Sequence, residues 1–390
     1  MLLLLMITPC LTRAQKKELN QARSYIKSGK DFDKAEQLMK GLLEKDSASR
    51  DNKKVYLLLF EAVYGQYTQA NERLYLKQQQ DTAAFFNLNY RMFSISETLD
   101  SLEMRPDKKG KVDIEYRKKH AELMNGYRSN LYAAGNYHLR KAEYEKAFAY
   151  YEAYIDCDRQ PLFTGYNYLD KDAKMPEVAY WATYTAYRMN DAVRTLRHRK
   201  LALRDSSKAV YTLQYMAEAR RWLKDDELYL KTLEEGFHRY PGALYFFPRL
   251  FDVYTQQARY EKALSIADSA MAVCDTCELY LFAKSTTLLR MERYEESIKV
   301  SDRLIQLNDK QAEAYFNAAT GYLNIALQLD PLKDKKQLKL VYQKARPYME
   351  HYRELMPQEK QKWGPALYRI YLNLNMGKQF DEIDRLLKQR

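Results

Sequence analysis

A few groups of residues in this 390-residue chain carry chemistry by type and spacing. Cys274-Asp-Thr-Cys277 is a CxxC, the spacing of a redox pair or of half a tetrahedral zinc site. A four-cysteine zinc site needs a second pair, and the remaining cysteines, Cys10 and Cys157, do not form one. An incidental pair, a local disulfide and a redox-sensitive pair stay open. His120, His138, His198, His238 and His351 show no HExxH or other ligand spacing, and His138 falls on a core position, as a hydrogen-bonded core histidine would. No nucleophile elbow, phosphate loop or dinucleotide fingerprint occurs. The run Arg194, Arg197, His198, Arg199, Lys200, Arg204 is the most basic stretch. It reads as a phosphate-tracking stripe or as a solvated outer helix, and we take the second reading. Carboxylates intermix with Lys and Arg, as on solvated helix faces. The sequence therefore predicts no catalytic residue, no metal ligand and no cofactor.

The elements that must position these residues follow from composition. Gly (12) and Pro (10) are scarce, so the turns are few and short. Tyrosine is abundant at 35, an apolar body with a polar tip that suits half-buried helix faces and contact surfaces. A hydrophobic content of 46% excludes a disordered chain. The net charge of +12 comes from 64 Lys and Arg against 52 Asp and Glu, interspersed along the sequence. That is a basic bias without a nucleic-acid signature, so nucleic acid is disfavoured as a partner. The apolar run Leu2–Ile7, followed by Thr12-Arg13-Ala14, is too short to span a membrane and reads as a signal peptide over 1–14. The protein is expected to be exported to the periplasm or cell envelope, with no membrane span.

One motif recurs. Arg259–Met271 reads RYEKALSIADSAM and Arg293–Ile305 reads RYEESIKVSDRLI, 34 residues apart. In a unit 244–277, Phe247, Leu250, Phe251, Tyr254, Ala263, Ala267 and Ala270 share one helical face by spacings of three and four. Units begin at 176, 210, 244, 278 and 312, and a further one at 128 carries Leu131, Ala134, Gly135, Ala147, Tyr151 and Tyr154. Gly65-x-Tyr67-x-x-Ala70 echoes Phe32-x-x-Ala35 at a spacing of 35, and Met376–Lys388 repeats the turn and second helix. Small residues at Gly135, Ala147, Ala217, Gly236 and Ala263 mark where paired helices must approach closely.

These residues resemble the tetratricopeptide repeat (TPR) family, a 34-residue helix–turn–helix with small residues at fixed points. The resemblance implies an all-α, right-handed superhelical solenoid of antiparallel helix pairs. Repeats are expected over 15–80, a divergent helical pair with an inserted loop over 81–127, a central array over 128–311 and C-terminal repeats with an insertion over 312–390. Departures fall at Asp158–Pro176, at the second helix Asp191–Asp205, and at Asp330–Lys336, after which Pro347 is expected near a first helical turn.

The resemblance also implies a concave groove lined by positions 2, 5, 9, 12 and 13 of each first helix. Carried over, these are Tyr132 and Asn136; Tyr180, Tyr184, Tyr187 and Arg188; Tyr211, Gln214, Arg221 and Trp222; and Tyr245. The other expectation for these tyrosines is packing between neighbouring repeats. The function implied is a non-catalytic scaffold or adaptor holding a protein or extended peptide in the groove. A sensor or regulatory module and a glycan-capturing helical-repeat protein of the outer membrane are the alternatives.

Overall fold

The computed structural model describes residues 7–106 and 109–388, with side chains from Gln15 onward. Residues 1–6 of the leader, and the side chains of 7–14, lie outside the described residues. The described residues form helices and turns, in two compact units divided between Leu223 and Lys224. That division falls inside the stretch 128–311 that the repeat pattern reads as one array.

The first unit holds α1 (Ile7–Ser28), α2 (Phe32–Lys45), α3 (Lys53–Tyr75), α4 (Thr82–Glu103), α5 (Arg117–Arg140), α6 (Tyr144–Asp156), α7 (Tyr168–Lys171), α8 (Met175–Arg188), α9 (Ala192–Arg197), α10 (Arg199–Ala202) and α11 (Ala209–Trp222). The second holds α12 (Asp226–Arg239), α13 (Phe246–Gln256), α14 (Tyr260–Val273), α15 (Glu278–Arg290), α16 (Tyr294–Leu307), α17 (Ala312–Gln328), α18 (Lys335–Leu355), α19 (Lys360–Asn373) and α20 (Gly377–Lys388). Within each unit the long helices pack mainly on their sequence neighbours, as in a solenoid.

One turn device joins the helices of a pair. Within the units, Ala142, Asn190, Ala258, Glu292 and Asn375 all have φ between +53° and +58°, as has Lys224 at the division between them. The next amide closes back over the helix end: Glu143 N–H donates to the His138 carbonyl at 3.0 Å, Asp191 to Ala186 at 3.1 Å, Arg259 to Tyr254 at 2.8 Å and Arg293 to Leu288 at 2.9 Å. This is a Schellman closure, which satisfies carbonyls the helix leaves open. The left-handed residues at 190, 224, 258 and 292 follow one another at intervals of 34. Glycine and alanine then set the helix spacing. A Cβ on Gly135 would lie 2.3 Å from the Tyr151 ring, and one on Gly236 would lie 2.2 Å from Phe246. Ala147, Ala217 and Ala263 have no exposed surface.

Three departures differ from the sequence reading. The second helix of the divergent pair expected over 81–127 does not stop at 127: α5 begins at Arg117, packs on α4, crosses 127/128 and ends at Arg140. Ala121, Met124, Arg128, Leu131, Ala134, Gly135 and His138 form one buried stripe along it that runs past Gly126 without a break. Pro347 lies inside α18, well past its first turn. The buried stripe Val341, Tyr342, Ala345, Met349 and Tyr352 spans the proline and outweighs the lost hydrogen bond. The basic stretch Asp191–Asp205 is not one helix. It breaks at His198 into α9 and α10, where like charges face each other at spacings of three (Arg194/Arg197, Arg197/Lys200) and Arg199 Nη1 donates to the Leu196 carbonyl at 2.7 Å.

Candidate functional site

The inserted loop after α6 is fastened by a residue the repeat pattern does not mark. Arg128, on α5, is 5% exposed. Its guanidinium lies 3.6 Å from the Tyr154 ring centroid and 3.8 Å from that of Tyr168. It donates to Asp172 Oδ2 at 2.5 Å and to the Tyr154 carbonyl at 3.0 Å, while the Tyr154 hydroxyl donates to the same carboxylate at 2.7 Å. Burial alone would raise the Asp172 carboxyl, but hydrogen bonds from Tyr154 and Arg128 outweigh it and hold the group below its ordinary value. Removing either partner of such a pair costs about 3–5 kcal/mol, because the other charge is left buried and alone.

With the loop fixed, α8 is placed beside α5 and α11. Tyr132 on α5 donates its hydroxyl to Glu177 on α8 at 3.0 Å. Asn136 accepts from the buried Tyr151 hydroxyl at 2.7 Å, so its side chain is committed to the core edge. On α8, Tyr184 accepts from Arg188 Nη1 at 2.6 Å, and Arg188 lies over the Tyr144 ring at 4.7 Å. Tyr187 stacks on Trp222 of α11, with ring centres 5.5 Å apart and 13° between planes. Tyr180 is 7% exposed and packs under Trp181 and Tyr215, so it glues helices together and does not line an open trough. Burial raises its hydroxyl pKa.

The hub of this cluster is Tyr215, which the groove positions omit. Its ring lies 4.5 Å from Tyr187, 5.7 Å from Tyr184 and 6.2 Å from Tyr180. Burial, and a hydrogen bond with Tyr180, push its hydroxyl far up. Trp181, also omitted, packs on Tyr180 and Tyr184. Trp181 and Tyr215 both stand at position 6 of their units. Spacings of four and seven from Tyr211 through Tyr215 to Trp222 are the signal that could have found Tyr215. Tyr211 is the most open of the aromatic residues here, at 48%. Gln214 is half-buried, and Arg221 is exposed and donates to Glu218 at 2.6 and 2.8 Å. Tyr245 belongs to the second unit, where Arg249 covers its ring at 3.9 Å.

The cysteine and histidine candidates have plain environments. Cys274 caps the end of α14 and Cys277 the start of α15, both as free thiols. His138 is buried and its Nδ1 pairs with Glu143 Oε2 at 2.5 Å. Among the described residues, no group of three or more His, Cys, Asp or Glu is placed to hold a metal ion. No helix in them is long and apolar enough to cross a membrane.

A left-handed turn recurring at intervals of 34, with glycine or alanine at the close approaches of Gly135, Ala147, Gly236 and Ala263, decides the repeat type. These are TPR-like repeats in an all-α helical solenoid. No family model matches the chain, and no curated protein matches it. Among solved structures it is similar to the C-terminal part of a TPR repeat-containing protein from Cytophaga hutchinsonii, at 12% identity over 65% of this chain and 92% of that one, with a TM-score of 0.43. The TPR domain of P58(IPK) aligns over 96% of this chain and 99% of its own at 12% identity and a TM-score of 0.27. Yeast Tom70 aligns over 96% and 92% at 14% identity and a TM-score of 0.33. All three scores lie below 0.5, so the TPR-like assignment stands on the turn geometry and the helix contacts.

Proposed function

We propose that this TPR-like chain is a non-catalytic scaffold that holds an extended polypeptide segment of a protein partner on the α8–α11 face. The observation that carries the reading is the partly open cluster of Tyr184, Tyr187, Arg188, Tyr211, Tyr215 and Trp222. Tyr, Trp and Arg are the side chains that dominate binding hot spots, and here their rings are already stacked, so few rotamers are lost on binding. Export to a bacterial cell envelope is part of the proposal and rests on the leader sequence.

The test is capture on the full chain compared with the Tyr184→Ala/Arg188→Ala and Tyr211→Ala variants, whose circular dichroism should stay unchanged. A partner whose segment binds the parent chain and loses roughly tenfold or more in affinity to both variants supports the reading. Binding that survives both variants would place the partner elsewhere and sink it. A glycan that binds and is lost in Tyr211→Ala, with no peptide binding, would replace a protein scaffold by a sugar-stacking one. Cell fractionation tests export, and a chain retained in the cytoplasm removes the envelope from the proposal.

A further inference from the structure

The two strongest irregularities of the first unit meet in one place. The inserted loop after α6 and the broken second helix α9–α10 together line a half-open cavity of about 320 Å³. That volume is within the range that encloses small-molecule ligands. Its rim is basic. Arg159, Arg197, Arg199, Lys200 and Arg204 line it, against the single carboxylate of Asp158, and Arg159 reaches Asp156 at 3.8 Å. Asp158 is already occupied, accepting from the Leu169 amide at 2.8 Å. Among the described residues, Arg199, Lys200 and Arg204 have no carboxylate partner; Arg199 and Arg204 reach only the carbonyls of Leu196 and Leu169, at 2.7 and 3.2 Å. By contrast, Arg194 and Arg197, one helical turn away, are paired with Glu145 and Glu152. Arg197 also lines the cavity, so the cavity holds one neutralised cation of the basic run beside three that have no carboxylate partner.

The remaining wall is apolar: Ile155, Leu169, Met175 and Leu201. His198, at the break between α9 and α10, also lines the cavity. It is 4% exposed, and its Nε2 has no hydrogen-bond partner among the described residues, the nearest carboxylate oxygen being Glu152 Oε1 at 3.9 Å. A buried polar group left open in this way is uncommon in a structural core. A repeat whose only task is stacking gains nothing from breaking its helix and gathering unpaired cations there.

We propose that this cavity is a binding site for a small phosphate monoester, its dianion held by Arg199, Lys200 and Arg204 and its organic part lying on Leu169 and Leu201. Three uncompensated cations match a dianion, and the planar guanidinium fork matches phosphate oxygens. The apolar wall selects an ester over the bare ion. The site is separate from the aromatic face of α8 and α11, so its ligand and the polypeptide partner do not compete for the same side chains.

The probe is phenyl phosphate, titrated calorimetrically into the full chain at low salt. One saturable site is expected. Lys200→Ala/Arg204→Ala should weaken it by roughly tenfold or more, since hydrogen bonds to charged groups are lost. Both side chains are exposed, so the fold should persist, as circular dichroism would confirm. Lys335→Ala/Lys336→Ala removes the same charge from the second unit and should change nothing. Inorganic phosphate and phenol should each bind at least tenfold more weakly than phenyl phosphate. Vesicles containing phosphatidic acid distinguish a lipid headgroup from a soluble ester. Capture lost in the cavity variant names the lipid, and phenyl phosphate binding without capture names the solute. No saturable binding up to roughly 10 mM overturns the proposal. So does equal weakening in both double variants, inorganic phosphate binding as tightly as phenyl phosphate, or binding of random RNA without phenyl phosphate.

Discussion

Burial moves three titrating groups of the first unit in opposite senses, and their balance sets how stability follows pH. His120 packs against Phe60 and Tyr116 and is pushed down to about 4 by burial, with Lys119 adding to it. His198 is likewise held down at about 4 by burial, then by Arg159 and Arg197. Both stay neutral in the folded chain while the unfolded chain takes up protons below about 6.5. Their contribution is therefore full above that value and is lost as pH falls from 6.5 towards 4. Glu97 goes the other way, raised to about 7 by burial and then by Asp156. It keeps its proton when folded, so the stability it contributes at low pH is lost as pH rises from about 4.5 through 7. His120→Phe should gain on the parent chain by about 1–3 kcal/mol as pH falls from 7 to 5. Glu97→Gln should gain on it as pH rises from 5 to 8. Urea unfolding at pH 5, 6, 7 and 8 reads both, and parallel curves for parent and variant would refute the assigned shifts.

At the scale of elements, the paired helix is held by a contact that only glycine permits. In Gly135→Ala the new methyl would sit 2.3 Å from the Tyr151 ring, whose hydroxyl is tied to Asn136. The ring cannot swing away without breaking that bond, so a loss of about 1–3 kcal/mol is expected. Hydrogen exchange should speed up in α5 and α6 and stay at parent levels in α16 to α19, since each pair leans only on its neighbours. Uniform acceleration would show a more cooperative fold. These elements were legible because Gly135, Ala147 and Ala263 recur at fixed points of a repeating unit. The joining of 112–126 to α5 was not legible, because that segment lies outside the period and its stripe begins before the repeat does. Trp181 and Tyr215 escaped for a related reason. The carried-over positions describe an average repeat, whereas position 6 here meets an aromatic neighbour. Arg128 and the cavity at α9–α10 lie where the period fails, so they depended on loop geometry that no spacing encodes.

For the whole molecule, the turn residues define a ruler. Ala258 and Glu292 take the same left-handed turn at an interval of 34, and each is followed by Arg-Tyr, at 259–260 and 293–294. Excising residues 259–292 would join Ala258 directly to Arg293 and Tyr294. The junction would keep the local sequence and turn that the parent has at Ala258, while α14 and α15 would leave together as one complete cassette. Cuts that are not multiples of 34 would set a helix end where the backbone has no left-handed residue to close it. Chain length along this stretch is thus quantised. A chain that loses one such cassette keeps the turn at its junction, and its new seam is the packing of α13 on α16.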